Sequence, residues 1–356
     1  MKVCVFGQID NTEKIISLIR PEHTIVFQEN IAFPEGLPEV HDRGETTEKA
    51  SEITYITDAT HRELLLQRGV SDKQVLDYTM FGNLTFTNPI LGFSNRHDAI
   101  LFGMSHSECG INENILEGFT YYKESAPSLD LFLHLNFLSL LYAKHSEEMK
   151  KIRRFVFELP YYIFNYDLSK FGDFTLSKLN YFDCIQNYHH LVERSDYSNI
   201  MYKYNMYKEI MIDGVLAPSQ STMNRESIIK RTYHNIYNSI QIINNHDKVW
   251  ERVYPDTIAE NKEHWDTIVK KIESKSPAAE IIVLIMPFNP LFKKMKEKSI
   301  NIQKDIFYKN IGLDKDHIFD DFYREIPYYW YDDHCHISKR KADRYTEIIN
   351  RRLCTI

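Results

Sequence analysis

Short apolar runs recur along the chain, each closed by turn-type residues and followed by a stretch whose apolar positions repeat every three or four residues. The runs read as strands buried on both faces, and the periodic stretches read as helices lying on a sheet. In the first ninety or so residues, 2–6, 23–28 and 53–57 read as strands and 12–19 as a helix. A second helix is expected over 60–68, with Leu64, Leu65 and Leu66 on its apolar side and Gly69 as its C-cap. Residues 33–50 are a connection rich in Pro, Gly and charge, and 70–76 a short link to the next strand.

Around residues 88–98 the pattern loosens, which places a domain boundary there and divides the chain into 1–95 and 96–356. The larger part opens on the apolar run Ala99-Ile100-Leu101-Phe102, broken at Gly103. Polar residues follow it, and then a helix-like stretch over 112–119. A helix over 129–151 carries Leu133, Phe137, Leu140 and Leu141 on one side. Strands are expected over 153–159, 281–286 and 317–319, and helices over 257–274, 301–311 and 338–351. Residues 170–256 read as a helical insertion rich in Tyr, His and Asn, suited to a lid over a site or to a dimer face. Strands alternating with helices at this spacing predict an α/β fold with a parallel sheet flanked by helices.

A chain of 356 residues exceeds what one hydrophobic core serves, in keeping with two domains. Hydrophobic content of 43% and charged content of 26% are ordinary for a globular protein. The formal charge of −7, spread without blocks, argues against nucleic acid or an anionic membrane as partner. Five cysteines, an odd number without CxxC spacing, argue against a disulfide framework or a structural zinc site. The first residues read as a strand start and no apolar run is long enough to span a bilayer, so a cytoplasmic protein is expected. The turn Gly7-Gln8-Ile9-Asp10 has no GxGxxG fingerprint, so residues 1–95 read as a regulatory or docking module without a dinucleotide.

Two segments carry chemistry. Ser105 stands where a buried strand gives way to a helix, a place that exposes a hydroxyl beside free backbone N–H groups. Ser105 and Ser107 are equally suited to capping a helix there. Far along the chain, Asp333-His334-Cys335-His336 has Asp-x-x-His spacing just before the last helix. On one tight turn that spacing lets the carboxylate accept from imidazole Nδ1 and leaves Nε2 to take a proton from a serine.

These two segments resemble the SGNH (GDSL-like) hydrolase superfamily, in which a Gly-x-Ser turn follows the first strand and an Asp-x-x-His pair precedes the last helix. More finely, the chain is similar to a bacterial subgroup found with surface-polysaccharide genes. It shares a Gly-x-Ser-His-x-x-x-Gly-Ile turn over 103–111, a Ser-x-Asp-Leu start at 128–131 and a Tyr-x-x-Phe-x-Tyr-Asp-Leu-Ser loop through Ser169. The resemblance covers about residues 98–350, with a weaker one to Rossmann-like modules before it. It implies an SGNH or flavodoxin-like three-layer domain and a catalytic triad of Ser105, His336 and Asp333. The implied activity is that of a carbohydrate O-acyl (acetyl) esterase or O-acyltransferase, acting on an acylated glycan or its precursor. No cofactor is expected, an acyl-CoA being the donor if the enzyme is a transferase, and a homo-oligomer fits the aromatic content. Met104 stands where the family has an acidic residue, and no Gly-x-Asn-Asp block is present. Asn165, after the next strand, is therefore the candidate oxyanion donor, with the backbone N–H groups of Ser105 and His106.

The same residues admit other readings. His334, Cys335, His336 and the neighbouring aspartates could hold a metal, but the i, i+2 histidine spacing suits strands better than a turn, and no metal is expected. His106, Glu158, Tyr161 and Tyr162 are candidate substrate contacts. Glu158 at the end of an apolar strand fits a structural hydrogen bond equally well, and the aromatics fit core packing. The rival function is a catalytically inactive SGNH-like protein that binds a glycan or a partner.

Overall fold

The computed structural model describes residues 1–7, 12–27, 31–32, 48–49, 52–78, 89–170, 178–212, 252–320 and 326–354. The chain begins with β1 (Lys2–Val5), α1 (Thr12–Leu18), β2 (Thr24–Ile25), β3 (Ile31–Ala32), β4 (Glu48–Lys49), β5 (Ile53–Thr57), α2 (Ala59–Gln67) and β6 (Val75–Asp77). Next come β7 (Ala99–Gly103), α3 (Ser105–Gly110), β8 (Tyr121–Ser125), α4 (Leu131–Lys144), α5 (Ser146–Met149) and β9 (Arg154–Leu159). Helices α6 (Leu179–Ile185) and α7 (Tyr197–Ile210) precede α8 (Pro255–Lys275), β10 (Glu280–Ile285), α9 (Pro290–Met295), α10 (Glu297–Asn310), β11 (Ile318–Phe319) and α11 (Ala342–Leu353).

The chain forms two compact units, Met1–Asn88 with Gly172–Met223, and Pro89–Phe171 with Asn224–Ile356. The first holds a parallel sheet of order β2-β1-β5-β6, its core built on Cys4, Phe6, Ile53, Tyr55, Leu65 and Val75. The division differs from that expected in two respects: residues 89–95 belong to the second unit, and α6 and α7 belong to the first, whereas the sequence pattern assigned them to an insertion in the second. Backbone bonds show why. The Arg20 N–H donates to the Ile210 carbonyl at 2.8 Å, and the Ile212 N–H to the Leu18 carbonyl at 2.7 Å. Lys203 reaches Asp72 at 2.9 Å. The remainder of that expected insertion, at 171–177 and 213–251, lies outside the described residues, and with it the expected lid or dimer face.

The second unit is a three-layer α/β domain. Its sheet, β11-β10-β9-β7-β8, is parallel throughout, with Leu101 opposite Val156 and Val283 opposite Phe157. The strands have this form because both faces are covered, so nearly every position must be apolar. On one face Phe102 and Phe157 stack at 5.1 Å, with Trp265 of α8 against Phe157 and His134 of α4 against Phe102. On the other, Leu101, Val156, Ile282 and Leu284 pack with Tyr345, Ile348 and Ile349 of α11, whose opposite side exposes Asp343, Arg344 and Glu347. In order of appearance the five strands run 2-1-3-4-5, the flavodoxin-like order. Its topological switch lies between β7 and β9, where open parallel sheets form their binding crevice.

One helix starts earlier than expected. The polar run Ser105–Gly110 is itself helical, and 112–119 contains only a single turn at Glu113–Ile115. Met104 is extended and caps α3. Ser107 then folds back over Gly103, where a Cβ would collide with the Ser107 side chain.

Candidate active site

Three segments of the second unit converge at the carboxyl end of its sheet: the β7–α3 turn, the end of β9, and the loop before α11. Ser105, the first residue of α3, is half-buried, and its Oγ lies 2.7 Å from His336 Nε2. His336 Nδ1 lies 2.6 Å from Asp333 Oδ2. Asp333 Oδ1 accepts the backbone N–H of His336 at 2.7 Å and that of Cys335 at 2.8 Å, so the Asp-x-x-His turn is closed by its own carboxylate. Burial pushes the Asp333 carboxyl up, but the His336 hydrogen bond and charge, with His334 and the Cys335 N–H, outweigh it and hold it well below the usual carboxylate range. Asp333 is therefore an anion at neutral pH and fixes His336 with its proton on Nδ1. Nε2 is left as an acceptor facing the serine hydroxyl, an array able to carry a proton away from an attacking alcohol.

The two serines of the turn separate cleanly. Ser107 is fully buried and donates its hydroxyl to the Met104 carbonyl at 2.9 Å. It braces the turn, while Ser105 faces the histidine. At the start of α3 the N–H groups of Ser105 and His106 have no intrahelical acceptor, as at any helix start.

The remaining candidates fall elsewhere. Asn165 is not directed at Ser105. Its Nδ2 donates to the Arg252 carbonyl at 2.7 Å and its Oδ1 accepts the Tyr254 N–H at 2.8 Å, so the carboxamide stitches the post-β9 turn to the start of α8. Tyr161 is buried against Phe307 of α10, with its hydroxyl donated to Asp320 at 3.0 Å, away from the triad. Tyr162 is partly exposed and lies near Cys335 and Glu158. His106 is buried and stacks on the His336 ring at 4.7 Å with 20° between planes, beneath the base and not on an open wall. Glu158, 1% exposed, lies close to the backbone N–H groups of Met104 and Ser107, the residues that bracket Ser105, and these favour its charged form against burial.

Asn289, which was not anticipated, holds the histidine loop from the β10 side. Its N–H donates to the His334 carbonyl at 2.9 Å and its Nδ2 to the Asp333 carbonyl at 3.4 Å, while its Oδ1 caps α9 at Leu291. The Asn-Pro pair after an apolar strand is the available signal, since it marks a helix start just where a parallel strand delivers its loop to the site.

Donor atoms of His106, Cys335 and His336, and of Asp333, His334 and Cys335, come within 4.8 Å of one another. Both nitrogens of His336 are taken by Ser105 and Asp333, and the Asp333 carboxylate by His336 and Cys335, so these residues are not assigned as metal ligands. Among the described residues no helix is long and apolar enough to cross a membrane. No family model, no curated protein and no solved structure matches the chain.

Proposed function

We propose that the protein is a serine-dependent acyl-transfer enzyme of SGNH type. It acts as an O-acyl (acetyl) esterase or O-acyltransferase on an acylated glycan or glycan precursor. The observation that carries the reading is the continuous line from Ser105 Oγ through His336 to Asp333, at 2.7 and 2.6 Å, between residues 231 positions apart. In this reading Ser105 Oγ attacks the ester carbonyl carbon while His336 Nε2 takes the hydroxyl proton. The tetrahedral oxyanion rests on the Ser105 and His106 N–H groups, and each such donor contributes about a hundredfold in rate. Collapse breaks the bond to the leaving alcohol, which takes its proton from His336. Water then resolves the acyl-enzyme in an esterase. In a transferase an acyl-CoA loads the serine and a sugar hydroxyl resolves it. The sugar substrate class comes from the resemblance of the 103–111, 128–131 and 161–169 segments. The protein is expected to work in the cytoplasm.

With Asn165 committed to Arg252 and Tyr254 the hole is made of backbone donors, which predicts a slower or more specialised enzyme. The missing Gly-x-Asn-Asp block favours the rival reading of an inactive glycan-binding protein. A fluorophosphonate probe separates the two. Labelling that is lost in Ser105→Ala and retained in Ser107→Ala supports the enzyme. Absence of labelling in the wild-type chain would sink it.

A further inference from the structure

Glu158 has no role in the acyl-transfer steps, yet it is an acid sealed at the switch point of the sheet with 1% of its surface exposed. The groups facing it are His106 from α3, Tyr162 from the turn after β9, Cys335 from the histidine loop and Tyr345 from α11. None is a lysine or arginine. A carboxyl buried without a cation keeps its proton or finds donors. The backbone N–H groups of Met104 and Ser107 lie close to Glu158 and favour its charged form. Its Oε2 has no hydrogen-bond partner among the described residues, and neither has His106 Nδ1. These two orphan atoms face each other at 4.0 Å, and about 1 Å of side-chain movement closes the gap to a hydrogen bond.

We propose that Glu158 is the positioning residue of the nucleophile turn, and that it shares one proton with His106 so that the ring beneath His336 stays neutral. The proton sits on the carboxyl and is donated to Nδ1, which places the His106 ring proton on Nε2. Two effects reach the triad. The carboxyl beside the Met104 and Ser107 N–H groups steadies the turn on both sides of Ser105. The neutral His106 ring presents its π face to the imidazolium that His336 becomes, whereas a second cation 4.7 Å away would oppose it. The distribution of charge agrees. Burial pushes Glu158 up to about 8 against the pull of the two N–H groups. Burial and the neighbouring His336 hold His106 well below the ordinary histidine range, against the opposite pull of Asp333. Above that pH a carboxylate forms beneath the donors that are to hold the oxyanion.

The consequence for rate rests on the acyl-transfer reading, but the protonation pattern does not, so the test reads both. Imidazole nitrogen NMR on the full chain from about pH 5 to about pH 9 reports the protonation and tautomer of each histidine. His106, assigned by its absence in His106→Phe, is expected to stay neutral with its proton on Nε2. Fluorophosphonate labelling in the wild type is expected to fall about tenfold on the alkaline side as Glu158 ionises. Glu158→Ala loses at least tenfold at every pH. Glu158→Gln, which keeps an acceptor for the two N–H groups and never ionises, recovers most of that loss and shows no alkaline fall. A cationic His106 at neutral pH, or superimposable alkaline profiles for wild type and Glu158→Gln, overturns the proposal. If nothing labels, the acyl-transfer reading fails and the histidine tautomer alone decides this one.

Discussion

Replacing a single hydroxyl separates the two serines of the turn. Ser105→Ala removes the atom bonded to His336 Nε2 and should lower acyl transfer by at least a thousandfold with no change in thermal midpoint. Ser107→Ala removes a buried bond to the Met104 carbonyl and should cost about 1 kcal/mol of stability while labelling persists. Asp333→Asn keeps the shape of the turn but no longer enforces the Nδ1 proton, and should slow turnover by a factor of about 10³–10⁴ in steady-state kinetics. The Asp-x-x-His pair was legible in the sequence because everything that shapes it lies within four residues. Asn165 was misread because its partners, the backbone of Arg252 and Tyr254, lie almost ninety positions away. No local pattern shows that its amide is already bonded. The acid near the end of β9, Glu158, stood out in the sequence for the same reason it matters in the fold: it is a carboxyl buried between apolar neighbours.

Strands were easier to read than helix starts. A parallel strand covered on both sides has to be an apolar run, and β7, β9 and β10 are. The start of α3 has no such signature, since Ser105–Gly110 is small and polar and is held by Gly103 and by Glu158 from another strand. Gly103→Ala places a methyl inside the Ser107 side chain, and should cost about 1–3 kcal/mol by denaturant titration and lower labelling with it. Asp130 is the corresponding fastening at α4. One carboxylate oxygen caps the helix at Leu133 N and the other takes Leu168 N from the loop after β9, at 2.9 and 2.8 Å. Asp130→Ala should therefore cost more than an ordinary cap, about 2–3 kcal/mol. On β8, burial pushes Glu124 up to about 8 against the Tyr122 hydroxyl that donates to it. Its folded pKa lies above its unfolded one, so the folded state binds the extra proton. The stability contributed by this group is then greatest below about pH 4 and declines as pH rises towards 8. Glu158 contributes a parallel decline. Glu124→Gln, still an acceptor for Tyr122, should about halve the slope of stability against pH and leave the variant about 1–3 kcal/mol more stable than wild type at pH 8.

At the scale of the chain, the segment that crosses between units was the hardest to place. Residues 170–256 read as one helical insertion because helix periodicity reports a buried face, not which sheet buries it. Ile200, Tyr204, Tyr207 and Ile210 of α7 are buried within the first unit, whose described strands come from the first 77 residues. Each unit has its own sheet and its own apolar packing, which predicts that a core deletion in one leaves the other's chemistry in place. Leu65→Ala in the first unit and Leu133→Ala in the second each empty a fully buried site and should cost about 2–5 kcal/mol. Calorimetry should resolve two transitions, with Leu65→Ala lowering one and Leu133→Ala the other. Only the second should reduce the temperature at which Ser105 stops labelling, because α4 belongs to the unit that carries the nucleophile and α2 to the other. A single transition displaced equally by both substitutions would mean that the two units unfold as one, and that the first contributes to holding the triad in register.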